Sequence, residues 1–122
     1  MGMKMDKSEL KQRTKQFALR IIELVESLPK SRTAEILGRQ LLRSGTSIGS
    51  NYRAACRSRS SAEFIAKLGI VEEEADESAY WMELLVESRI VETSEVDFLM
   101  REANEFLAIT VASIKTAKRR NK

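Results

Sequence analysis

Five arginines, Arg32, Arg39, Arg43, Arg53 and Arg57, fall between residues 32 and 57, and at roughly 100° per residue they share an arc of about 80° on one helix. A guanidinium presents a planar fork of donors that fits phosphate oxygens, so such a stripe suits contact with a nucleic-acid backbone. Only Glu35 is available to balance it, whereas an ordinary solvated helix face mixes signs at i, i+4 spacing. Arg59 and the tail residues Lys115, Lys118, Arg119 and Arg120 add to the same cationic set. Tyr52 lies on the opposite, apolar side of the wheel, so backbone contact rather than base stacking is the expected chemistry. Two plainer readings stand beside it: pairing with acids of the third helix, in the same or a neighbouring chain, and simple solvation.

Catalytic chemistry has few residues to draw on. The chain contains no histidine, which removes Ser-His and Cys-His nucleophile pairs and the Glu-x-x-His ligands of di-iron bundles. No phosphate-cradling glycine loop occurs. The acidic run Glu72, Glu73, Glu74, Asp76, Glu77 sends neighbouring carboxylates to different helix faces, so a solvated or subunit-pairing surface is expected ahead of an oxygen-ligand cation site. No enzyme activity, cofactor or metal is expected.

The helix that carries the arginines also holds a strip of small residues, Gly38, Gly45, Gly49 and Cys56, within about 40° of one another and beside the apolar seam Leu37, Leu41, Ile48, Tyr52. Each glycine costs a helix interior about 1 kcal/mol relative to alanine, and close helix packing compensates. Arg43 and Arg53 flank the Gly45-x-x-x-Gly49 spacing, which excludes a membrane dimer. A neighbouring polar strip, Gln40, Ser44, Ser47 and Asn51, reads as an interhelical hydrogen-bond seam or a buried subunit contact. The third helix is apolar on a second side, where Ile70, Trp81 and Leu84 cluster with Ala66 and Tyr80 at the margins. A monomer would leave that side wet, so Ile70, Tyr80, Trp81 and Leu84 are the expected homo-oligomer interface.

These faces need four rods to hold them. Leu10, Phe17, Ile21, Leu24 and Leu28 recur at helical spacing over about 6–28, ending at Pro29. A second helix covers about 33–56, and Ser60 with Glu63 forms a capping-box spacing that opens a third over about 61–90. Its inner row is Phe64, Leu68, Val71, Ala75, Ser78, Met82 and Leu85. Thr93 and Ser94 both offer caps for a fourth over about 94–119, with Leu99, Ala103, Phe106, Thr110, Ile114 and Ala117 inward. No segment alternates with period two, so the expectation is an all-α, antiparallel up-down-up-down four-helix bundle in a single domain of 122 residues. Charge is sorted along the chain. Residues 30–59 carry seven bases against one acid, residues 60–106 thirteen acids against three bases, and the last sixteen residues no acid, which implies separate basic and acidic surfaces despite a net charge of only +3. The single Cys56 cannot form an intramolecular disulfide, no apolar run reaches membrane-spanning length, and the Met1 to Met5 start fits neither a signal peptide nor, with Asp6 in place of Ser or Thr, a myristoylation site. The expected location is the cytoplasm.

The strings Arg43-Ser44-Gly45-Thr46-Ser47-Ile48-Gly49-Ser50-Asn51-Tyr52-Arg53, Glu63-Phe64-Ile65 and Glu74-Ala75-Asp76-Glu77-Ser78-Ala79-Tyr80-Trp81-Met82-Glu83-Leu84-Leu85 closely resemble the four-helix-bundle family encoded in intervening sequences of 23S ribosomal RNA genes. That resemblance implies a small cytoplasmic bacterial protein, commonly a ring-shaped homopentamer, without established enzymatic activity. A related branch, the basic accessory protein of diversity-generating retroelements, is similar in fold and works with nucleic acid and a reverse transcriptase. The chain departs from the family pattern at Ala54, where an acid is expected, and at Cys56, where a polar residue is more usual. The expected function is a non-enzymatic homo-oligomer, a pentameric ring by resemblance, that binds RNA or DNA through the ridge on helix two. The alternative is a scaffold docking an acidic protein partner.

Overall fold

The computed structural model describes residues 6–121. The segment 1–5, read above as neither signal peptide nor myristoylation site, and Lys122 in the basic tail lie outside the described residues. Four helices account for nearly all of the rest: α1 (Lys7–Glu26), α2 (Arg32–Cys56), α3 (Ser61–Glu87) and α4 (Thr93–Arg120). There is no strand among the described residues.

Each start has a stated cause. The Asp6 carboxylate accepts from the Glu9 N–H at 2.8 Å, the Ser31 hydroxyl from the Ala34 N–H at 3.2 Å and the Ser60 hydroxyl from the Glu63 N–H at 3.1 Å, so each satisfies a donor that the first turn leaves free. The Glu63 side chain reaches one residue further back than a capping box requires and accepts from the Arg59 N–H at 2.8 Å. The expected caps of α4 are corrected: Glu92 is the N-cap, Thr93 and Ser94 already lie in the first turn, and the Glu95 carboxylate accepts from the Glu92 N–H at 2.8 Å.

Two ends fall short of expectation. Helix α1 stops at Glu26, because proline's ring disfavours helical backbone in the residue before it and so untwists Leu28 ahead of Pro29. Helix α3 stops at Glu87 because Arg89 takes a left-handed conformation, φ 65°. That turn lets the Arg89 N–H reach the Val86 carbonyl and the Ile90 N–H reach the Leu85 carbonyl, both at 2.9 Å. The pattern normally recruits glycine, and arginine gives no sequence sign of it.

Helices neighbouring in sequence neighbour in space; the α2 and α3 backbones run closest over the greatest length, those of α1 and α4 over the least, and the diagonal backbones stay apart, with Lys7 of α1 reaching over the Phe64 ring of α3 at 5.6 Å. Along α2, Gly38 faces Val25 and Leu28, Gly45 faces Ile21 and Gly49 faces Thr14, so α1 descends as α2 rises. The four- and five-residue breaks before α3 and α4 are far too short to span helices about 40 Å long, so they too must reverse direction. The core is built from Phe17 and Ile21, Leu41 and Ile48, Leu68, Val71, Met82 and Leu85, and Val96 and Phe106, with Phe17 edge-on to Phe106 at 5.4 Å between centroids. Inside it the Ser44 and Ser78 hydroxyls meet at 2.9 Å with neither exposed, which joins α2 to α3 and leaves no buried side-chain polar atom unpaired among the described residues. Of the other polar-strip residues, Asn51 bonds within its own helix, to the Ser47 carbonyl at 3.0 Å.

A β-carbon at Gly45 would stand 2.9 Å from Ile21 Cγ1, and Ile21 is itself without exposed surface. At Gly69 a β-carbon would meet nothing within 4 Å. Gly45→Ala is therefore expected to destabilise the bundle by about 1–3 kcal/mol despite its better helix propensity, and Gly69→Ala to stabilise it by about 0.5–1 kcal/mol. Urea unfolding of the two variants checks both signs; equal effects would remove the close approach of α1 to α2 as the reason for the glycine strip.

Candidate nucleic-acid interface

Alternating direction gathers the start of α1, the end of α2, the start of α3 and the end of α4 at one end of the bundle, where Leu10, Tyr52, Phe64, Ala117 and Arg120 border one shallow recess of about 620 Å³. The charges there are strongly one-sided. Within about 15 Å of this end, α1 contributes Lys7, Lys11 and Lys15, the end of α2 and its loop Arg53, Arg57 and Arg59, α3 Lys67, and α4 Lys115, Lys118, Arg119 and Arg120, against Asp6, Glu9 and Glu63, while Arg13 is matched by Glu102 and Glu105. At the opposite end acids prevail, among them Glu23, Glu26, Glu83, Glu87, Glu92, Glu95 and Asp97.

The arginine stripe of α2 is consequently divided by its surroundings. Arg43 bends across to α3, where it pairs with Glu74 at 3.3 Å and more closely with Glu77. Arg39 borders a recess with Glu26 and Glu35 as well as Lys30, and Arg32 opens the helix near the acidic end. Arg53, Arg57 and Arg59 are exposed at the cationic end, and no ion pair engages their side chains among the described residues. Of the tail residues, Lys115, Lys118, Arg119 and Arg120 are all exposed.

Two cations absent from the sequence expectation join Arg53. Lys11 and Lys15, one turn apart on α1, line a groove of about 480 Å³ with Arg53, Thr46, Ser50 and Gly49 of α2. Their i, i+4 spacing is visible in the chain, but nothing local indicates that they face α2. Arg13, on the other flank of α1, is spoken for: it forks onto Glu102, pairs with Glu105 and lies over Phe106 at 5.3 Å. Burial alone would lower its guanidinium, yet the two carboxylates hold it above its ordinary value.

The α3 residues expected at an interface are not alike. Tyr80 is half exposed and meets Trp81 edge-on at 5.2 Å. Trp81 is partly buried against the core, and its indole N–H donates to Glu77 at 3.4 Å; Ile70 and Leu84 are partly buried. Ile36 and Leu42 of α2, and Leu19 and Ile22 of α1, are exposed apolar residues outside the expected set. Cys56 is partly buried beside Tyr52, whose hydroxyl is held above its ordinary value first by burial, then by a hydrogen bond with Cys56 and by nearby charge, so it stays protonated.

Burial pushes the Glu74 carboxyl above its ordinary value, Arg43 pulls it down, and Glu77 and Glu73 push it up. In the folded chain its charged form is therefore the costlier one. That cost is present above the folded pKa and vanishes as pH falls through it toward the unfolded value and below. Arg43→Gln removes the attraction and raises Glu74 further, so the variant should lose about 0.5–1 kcal/mol near pH 7, the range for a partly exposed pair, and approach the parent protein near about pH 4, where carboxyls protonate. Urea unfolding at both pH values measures this, and a loss independent of pH would dissociate Arg43 from Glu74.

The helix order and the residues described here match known proteins. Residues 6–112 fit the family described as 23S rRNA-intervening sequence protein. A solved structure of a protein of unknown function from the S23 ribosomal protein family of Bacteroides thetaiotaomicron is similar with a TM-score of 0.80 and 35% identity, over 86% of this chain and 97% of that one. No curated protein is significantly similar. With most of its length matched, the chain belongs to the 23S rRNA-intervening sequence protein family.

Proposed function

We propose that this chain is a non-enzymatic, homo-oligomeric nucleic-acid-binding protein whose cationic bundle end, centred on Arg53, Arg57 and Arg59 and extended by the α4 tail, contacts phosphate groups. The supporting observation is the concentration of cations at one end, where Arg13 is held by Glu102 and Glu105 and the acids Asp6, Glu9 and Glu63 are outnumbered by the remaining bases. Like charges held this close repel one another, and an anionic polymer relieves that repulsion while releasing its own counterions. Assembly through the Tyr80 and Trp81 side of α3 into a ring, proposed as a pentamer, would multiply weak contacts into avidity. Among the described residues Arg43 is the one cation that pairs with α3 acids, which leaves Arg53, Arg57 and Arg59 open to a partner.

The reading makes two measurable claims. Binding of labelled RNA or DNA should weaken with salt, and Arg57→Glu with Arg59→Glu should flatten the slope of log K against log salt by about two; salt-insensitive binding, or capture of an acidic protein in place of nucleic acid, would favour the scaffold alternative. In sedimentation the parent chain should run as an oligomer and Tyr80→Glu with Leu84→Glu should shift it toward monomer. A monomeric parent at micromolar concentration would remove the assembly.

A further inference from the structure

We infer that the groove between α1 and α2 is a seat for the backbone of an RNA duplex, an inference that rests on the nucleic-acid reading above and gives it a location and a ligand. Its walls are antiparallel. Lys11 and Lys15 rise one turn apart, about 6 Å along α1, and Thr46, Ser50 and Arg53 climb α2 opposite them. The floor is kept low by Gly49, whose Cα side lies against Thr14 closely enough that a β-carbon would stand 3.2 Å from the Thr14 hydroxyl. No acid lines the groove, and none of its three cations is engaged in an ion pair among the described residues. Three unpaired positive charges around a trough of about 480 Å³ suit consecutive phosphates.

Two details narrow the ligand. The groove has no aromatic lining, so bases splayed from a single strand would find nothing to stack on, whereas a duplex keeps its bases stacked and offers only its backbone. The hydroxyls are also oriented. Thr46 donates to the Leu42 carbonyl at 2.7 Å and Ser50 to the Ser47 carbonyl at 3.2 Å, which uses each hydrogen inside α2 and leaves each oxygen able to accept. Acceptors amid cations are of no use to a phosphate, which has no hydrogen to give. They match the ribose 2′-hydroxyl, a donor that RNA carries beside every phosphate and DNA lacks.

The test is fluorescence anisotropy of the full chain with a short blunt RNA duplex, a DNA duplex of the same sequence and the RNA single strand, over a salt series. The parent chain should bind the RNA duplex most tightly. Lys11→Gln, Lys15→Gln and Arg53→Gln together, all at exposed positions, should weaken duplex binding about a hundredfold near 0.1 M salt and reduce the salt slope by about three. Thr46→Val with Ser50→Ala should spare DNA binding and close the gap between RNA and DNA. Arg101→Gln, paired with Asp97 on α4, should leave binding unchanged. If the triple variant binds like its parent while Arg57→Glu with Arg59→Glu does not, the groove is wrong and the nucleic-acid reading stands. Equal affinity for both duplexes, or a preference for the single strand, overturns the ligand assigned here. A parent chain that binds none of the three at low salt overturns both readings.

Discussion

The contact between α1 and α2 depends on the absence of three side chains. At Gly45 a β-carbon would collide with Ile21 at 2.9 Å, and at Gly38 and Gly49 it would press on Leu28 and Thr14 at 3.0 and 3.2 Å, so the glycines let the two helices sit close. The loss in helix propensity is offset by burial of Ile21, one of the most enclosed side chains of the core. Close approach on this side turns the Leu41 and Ile48 face of α2 toward α3, where the paired Ser44 and Ser78 hydroxyls fix one level of the interface. The α1 and α4 backbones lie furthest apart of the neighbouring pairs, spaced by the buried Phe17 and Phe106 rings, and there the Arg13 fork onto Glu102 and Glu105 also holds α1 to α4. A charged clip at the rim of this seam adds the fixed register of a fork to the packing of the two rings behind it.

Charge in this bundle follows the end of the molecule rather than the direction of each helix. The helix dipole favours acids at N-termini and bases at C-termini. Arg53 at the end of α2, Lys118 to Arg120 at the end of α4, and Glu92 and Glu95 at the start of α4 obey that preference. Lys7 in the first turn of α1 opposes it, and so do Glu23 and Glu26 at the end of α1 and Glu87 at the end of α3, neither of which has a base in its last turn. Helix stabilisation therefore explains only half of the pattern. The other half places like charges together across helices, at some cost to the fold.

The helical wheel of α2 was legible because its apolar seam, its glycines and their buried neighbours obey a single period, and Leu41, Ile48, Gly45 and Gly49 are all buried. What the wheel could not convey was reach. Arg43 projects from the side opposite the seam yet bends to Glu74 and Glu77, since a long side chain spans more than its angular sector. Lys11 and Lys15 were missed for the converse reason: their partner Arg53 is about forty residues away, and only the packing of two helices puts them around one groove. The end of α3 was misplaced because its left-handed turn uses Arg89, a residue type with no preference for that conformation. The start of α4 was misplaced by one or two residues because Glu92 competes with better-known caps beside it.

Arg43 links the two roles assigned to α2 by taking part in only one of them. Its partner Glu77 also accepts from the Trp81 indole, and Trp81 in turn meets Tyr80 edge-on. The guanidinium thus orients a carboxylate that orients the indole of the proposed self-association surface, while Arg53 on the neighbouring flank borders α1 and the groove. A charge fixed in this way contributes little field to a phosphate, because two carboxylates lie within its own reach. The α2 ridge, uniform on a wheel, divides into a stretch held by α3 carboxylates at Arg43 and an end whose cations no ion pair engages among the described residues. That division would let the proposed assembly and the proposed RNA contact use the same helix without competing for its side chains.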